Sequence, residues 1–150
     1  MKKRVLSFLL AAVLTLALAV PAFAAGGFSD VPSSHWAYGD IMTCAQQGIV
    51  SGFGDGRFKP NDKVTGIQFI VMITRTFFQE ELAATQEEAA GREWYWPNTT
   101  VAFFNGLSYG IVIDDNAINR YDMAYILYKT LVHFGKASPS IRDTSADYHR

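Results

Sequence analysis

The chain has 150 residues, 49% of them hydrophobic, with 13 Lys and Arg against 14 Asp and Glu. That size bounds it to about one domain, and the charge argues against nucleic acid, whose binding rests on neutralising phosphates with Lys and Arg. A lone cysteine, Cys44, rules out an internal disulfide and reads as a small core hydrophobe.

Lys2, Lys3 and Arg4 precede an apolar run over 6–20, broken by Pro21 and followed by Ala22-Phe23-Ala24. This is the pattern of a secretory signal cleaved after Ala24. The run is shorter than the ~20 residues that span a bilayer, so no membrane association is expected after cleavage. Removing three basic residues from 13 leaves 10 against 14 acidic, so the exported chain, 25–150, carries a formal charge of about −4.

Ser33 or Ser34 can cap a first helix over 35–47, with Ala37, Ile41, Cys44 and Ala45 on one face. Gly48 ends it as a C′ glycine. Ile49 and Val50 re-enter the core, and 52–56 is a glycine-dense loop with an Asp55-Gly56 turn signal. Phe58 points back inward. Thr65 with Gln68 then fits a capping box for a second helix, whose apolar face is Ile67, Ile70, Val71, Thr74 and Phe77 or Phe78. Residues 79–91 are polar and helix-favouring; they either extend this helix or form an acidic linker.

The pattern then repeats imperfectly. Thr99 can cap a helix to about Tyr109, and Gly110-Ile111-Val112 mirrors Gly48-Ile49-Val50 at an offset of 62. Asn119 matches Thr65 at an offset of 54, so eight residues are missing from the second glycine loop. Asn119 with Asp122 keeps the cap, and Met123, Ile126, Leu127, Thr130, Leu131 and Phe134 form an apolar stripe. Ile141-Arg142-Asp143-Thr144 echoes Phe28-Ser29-Asp30-Val31 and reads as a third unit begun. A self-similar unit of this size marks a repeat array. The expected divisions are a signal over 1–24, a first repeat over 25–80, linker or helix over 81–93, a second repeat over 94–136 and a third-repeat start over 137–150.

Phe-Ser-Asp-Val, His-Trp-Ala, Gly-Ile-Val-Ser-Gly-Phe-Gly-Asp-Gly-Arg-Phe-Lys-Pro and the capped second helix, in that order over 28–78, resemble the S-layer homology (SLH) module. The resemblance implies an all-α fold of helix-loop-helix repeats in a partial pseudo-threefold bundle. It implies non-covalent cell-wall anchoring through an anionic secondary polysaccharide, often pyruvylated, by a protein secreted to the wall or S-layer of a bacterium. Self-association could complete a core left short of three repeats.

In that family the second helix opens Thr-Arg-Ala-Glu, with the arginine exposed and tied to ligand. Helix N-termini favour anions, and an arginine there adds a bidentate donor. The first copy has Gly66 at that place; the second has Arg120, which becomes the leading contact for a carboxylate. The other polymer-binding residues implied are Asp30, Trp36, Gly54, Asp55 and Asp143. Each has a structural alternative: Asp30 as a turn pin, Trp36 as a core anchor, and the glycines as turn formers. Trp94, Tyr95 and Trp96 could form a sugar platform or plug the core.

No enzyme is expected, since no catalytic constellation appears. No cofactor or metal is expected either: the histidines lack ligand spacing, and the glycine loop has too few oxygens for calcium. Asn98-Thr99-Thr100 is a glycosylation sequon, although Thr99 reads better as a helix cap. The alternative function is a degenerate structural or protein-interaction module without polymer binding.

Overall fold

A computed structural model describes residues 27–138. The export signal and Asp143 lie outside the described residues. Within them the fold is all-α: α1 (Tyr38–Gln46), α2 (Gly66–Phe77), α3 (Gln79–Thr85), α4 (Trp96–Phe104) and α5 (Arg120–His133), with a 3₁₀ turn at Gln86–Glu88. The described residues form no strand; they contain an isolated bridge between Thr65 and Ala117. No helix among them is long and apolar enough to cross a membrane.

The first helix starts later than its serines suggest. The His35 N–H donates to the Pro32 carbonyl, and His35 Nδ1 accepts from the Ala37 N–H at 3.2 Å. That turn occupies the residues meant for the first helical turn, and neither serine caps it. The capping box at α2 forms as read: Thr65 Oγ1 accepts from the Gln68 N–H, and Gln68 Oε1 accepts from the Thr65 N–H. Phe78, fully buried with φ −129° and ψ 42°, breaks the helix there. Residues 79–85 are therefore a separate helix with Leu82 buried, neither an extension of α2 nor a linker.

Thr99 is not a cap. It lies inside α4, and its hydroxyl donates to the Tyr95 and Trp96 carbonyls, while Pro97 sets the helix start. The helix closes at Phe104. Gly106 has φ +69°, and the Leu107 N–H reaches back to the Ala102 carbonyl at 2.9 Å. The same closure ends α1, where Gly48 has φ +72° and the Ile49 N–H reaches the Cys44 carbonyl at 2.9 Å. Gly106, rather than Gly110, is thus the counterpart of Gly48. The first helices repeat at 58, not 62; both have nine residues, and Trp94 is the counterpart of Trp36. Against the 54-residue offset of the second helices, the second loop is four residues shorter, not eight.

Two cores result. The larger lies between α2, α3, α4 and α5 and contains Phe69, Ile70, Ile73, Phe78, Leu82, Val101, Ala102, Leu107 and Ile126. Each large side chain buried there contributes about 1.5–3 kcal/mol. The smaller core packs Phe28 and Val31 against Ala37, Ile41 and Ala45 of α1, with Val50 and Phe58 beside them. The Phe28 and Phe58 rings meet at 5.2 Å, so the chain entering the repeat is fastened to the loop that leaves it.

Candidate functional site

A groove of about 670 Å³ runs between the 49–60 loop, the exposed side of α2 and Trp94. Its volume is in the range of small-ligand sites. Gly54, Lys59, Lys63, Gln68, Arg75 and Trp94 are among its walls. Lys59, Lys63 and Arg75 outnumber the one acidic wall residue, Asp62, so the groove favours an anion.

The loop wall is built by Asp30. Its carboxylate accepts from the Phe58 N–H at 2.8 Å and the Lys59 N–H at 2.7 Å. Those bonds, the Phe58 one foremost, hold its carboxyl below the usual range. Lys59 sits at φ +59°, a conformation that a non-glycine residue adopts at a cost. The Asp30 bonds stabilise it there. The Lys59 ammonium lies 4.1 Å from the centre of the Phe53 ring. Gly52 completes the wall: a Cβ there would stand 2.3 Å from Phe28 Cε1 and 2.7 Å from the Arg57 carbonyl. Only glycine allows that approach.

Arg75 projects from the last turn of α2 and is half-buried. Among the described residues no carboxylate pairs with it. Burial lowers its guanidinium from the ordinary value, because a charge taken from water without a partner is disfavoured. An anion in the groove would restore what burial removes. Trp94, 60% exposed, offers an aromatic wall, braced edge-on by Tyr95 at 5.6 Å. Trp96 instead lies half-buried under the Arg92 guanidinium at 4.0 Å. Lys59, Lys63 and Arg75 were not foreseen as a site. They are spread over 17 positions of sequence, with the hydrogen-bonded turn at 59–62 between the first two.

The residues singled out from sequence are not brought together in one place. Gly54 lines the groove, and Asp30 lines a smaller cleft that shares Lys59, Pro60 and Asp62 with it. Asp55 is exposed and engaged by Arg57, whose Nε donates to its carboxylate at 2.8 Å and whose backbone N–H donates at 3.1 Å. Trp36 is 89% exposed with its ring stacked beside His35, so the core-anchor alternative fails. The small core includes Ala37, the next residue, and not the indole.

Gly66 and Arg120 differ for a physical reason. The N-terminus of α2 is covered by the shortened second loop: the Gly66 N–H donates to the Asn116 carbonyl and the Ile67 N–H to the Asp114 carbonyl, both at 3.1 Å. A Cβ at 66 would come within 3.3 Å of the Asp114 backbone. The helix end that could bind an anion is thus closed by the chain itself. At α5, Asn119 Oδ1 accepts from the Asp122 N–H at 2.9 Å, and Arg120 at the first helical position stays exposed. Arg120 does not line the groove. The sequon is internal: Asn98 is 5% exposed, and its Nδ2 donates to Thr74 Oγ1 at 2.9 Å.

Residues 27–70 match the family model described as S-layer homology domain. The chain is similar to outer membrane protein SlpA of Thermus thermophilus, at 32% identity over 136 residues, covering 83% of this chain and 14% of that protein. It is similar to a cell surface protein of Thermoanaerobacter kivui, at 30% identity over 69% of this chain and 12% of the relative. An endoglucanase of a Bacillus strain matches at 29% identity over 72% of this chain and 12% of its own length. The chain therefore spans less than a sixth of these relatives. No solved structure matches it.

Proposed function

Residues 27–70 are an S-layer homology domain, and from that premise we propose that the chain is a cell-surface module. In this reading it attaches to the bacterial wall non-covalently by holding an acidic polysaccharide. The observation that carries the reading is the cationic groove with an unpaired, half-buried Arg75 facing a tryptophan wall. Charge-assisted hydrogen bonds from guanidinium suit a sugar carboxylate, and an indole face suits the apolar face of a sugar ring. Names of the relatives, an outer membrane protein and a cell surface protein, support a surface location. Export through the 1–24 signal fits the same reading, as do Gly54 and Asp30 as builders of the loop wall. No catalytic role is proposed.

The test is co-sedimentation of the chain with purified wall sacculi, before and after acid extraction of the secondary polymer. Pelleting lost on extraction is the expected result. Arg75→Ala should weaken binding by about tenfold or more, the equivalent of one charge-assisted hydrogen bond. Pelleting unaffected by both treatments would sink the proposal.

A second reading has its own support. The closed N-terminus of α2 and the separation of Arg120 from the groove fit a module that contacts protein rather than polymer. Under it, neither Arg75→Ala nor Arg120→Ala changes wall retention.

A further inference from the structure

The two offsets, 58 for the first helices and 54 for the second, allow each surface to be compared with its internal counterpart. The contact of α2 with α4 is the natural reference. Ile70, Ile73 and Thr74 of α2 meet Asn98, Val101 and Ala102 of α4, all buried. The polar pair in it, Asn98 Nδ2 to Thr74 Oγ1, is satisfied at 2.9 Å.

On α5 the counterparts of the α2 half are Ala124, Leu127 and Tyr128, with Leu131 one turn further on the same face. Ala124 is exposed, and Leu127 and Leu131 are 41% and 46% exposed. On α1 the counterparts of the α4 half are Asp40, Thr43 and Cys44. Asp40 and Thr43 are exposed and Cys44 is half-buried. The Thr43 hydroxyl already donates to the Gly39 carbonyl at 2.8 Å, so covering it strands no donor. Helix α1 is not among the helix pairs that build the larger core. The described residues therefore carry both halves of a contact that they satisfy once internally and do not cover at α5 or at α1.

The chemistry of the open halves matches. The buried Thr74–Asn98 pair has Tyr128 and Asp40 as its counterparts, a phenol donor and a carboxylate acceptor. The Tyr128 hydroxyl donates to the Ser138 carbonyl at 3.1 Å at the exposed surface, a bond that a carboxylate can replace with a stronger one.

We propose that α5 of one copy docks on α1 of the next, repeating the α2–α4 contact between molecules. The contact is head to tail, so it leaves a free face at each end and builds closed rings or open filaments instead of stopping at a two-fold dimer. The occupant of each face is a second copy of this chain. The inference stands apart from the groove and its ligand.

Sedimentation velocity and light scattering on the full chain across a concentration series test it. The wild-type chain should pass beyond two copies as concentration rises. Leu127→Asp removes the α5 half and Asp40→Arg removes the α1 half, so each variant alone should stay monomeric. An equimolar mixture of the two should give a species of two copies and nothing larger, because one intact half of each kind remains. Circular dichroism checks the helix content; Leu131→Asp and Thr43→Arg replace any variant that fails to fold. A wild-type chain that is folded and monomeric throughout overturns the proposal. So does either variant that associates alone, since this would place the contact elsewhere.

Discussion

Asp30 takes up the turn-pinning role that was one of its two readings, and through it shapes the candidate site. Its carboxylate is taken up by two backbone N–H groups, and through them it holds Lys59 in a left-handed conformation. Its pKa is lowered in the folded chain, so its stabilising contribution is complete above the ordinary value of 3.8 and is lost as pH falls through the lower folded value. Thermal melts of the chain and of Asp30→Asn should therefore differ at neutral pH and converge in acid. Curves that run parallel down to pH ~2 would remove Asp30 from this role, since both carboxylate states would then be sampled. The residue identity was legible in the sequence, because Phe-Ser-Asp-Val stands out. Its bond partners lie 28 and 29 positions away, and no local pattern announces them. Trp36 was legible as an aromatic landmark but not as an exposed one, since burial depends on which neighbour closes the small core.

Among the elements, α2 was the most legible. Its capping box and its wide apolar face are local signals, and both appear as read. Helix ends that depend on tertiary partners were less so. Serines near α1 were plausible caps until the 32–35 turn displaced them. The Gly110-Ile111-Val112 letters suggest an offset of 62, but the helix closes four residues earlier, where the Leu107 N–H reaches back to the Ala102 carbonyl. The α2–α4 contact yields a prediction at this scale. Asn98→Ala removes the hydrogen bond to Thr74 Oγ1, while the Thr74 hydroxyl keeps its own acceptor at Ile70. The expected cost is about 1–2 kcal/mol in chemical denaturation. A change near zero would mean that the pair is already open to water. By the same burial, Asn98 should remain unglycosylated in any folded chain exposed to a glycosylating host.

At the scale of the molecule, the division into two cores predicts an order of opening. The smaller core rests on few buried side chains and on α1, which stands outside the larger bundle. Local stability follows buried apolar contacts. Hydrogen exchange should therefore show the α1 amides opening at lower free energy than those of α2. Equal protection in the two helices would show that the cores unfold as one. The groove lies on the boundary between the two parts, with one wall on the less stable side. A ligand bridging the 49–60 loop and Arg75 would couple them, raising α1 protection more than that of α2. The all-α class was what the family resemblance implied, while single helices were legible from periodicity and the repeat from recurring motifs. The groove cations were not, because they converge only through the path of the loop.

The tight seat of Gly66 also ties the first repeat to the second loop. Glycine leaves the N–H groups at the start of α2 free to donate to the Asn116 and Asp114 carbonyls at 3.1 Å. In the present structure any side chain there meets the Asp114 backbone at 3.3 Å. A side chain there requires that backbone to give by a few tenths of an ångström. The residue at 66 and the course of the second loop are thus coupled: whatever moves the Asp114 backbone away from the start of α2 also makes room for a side chain there.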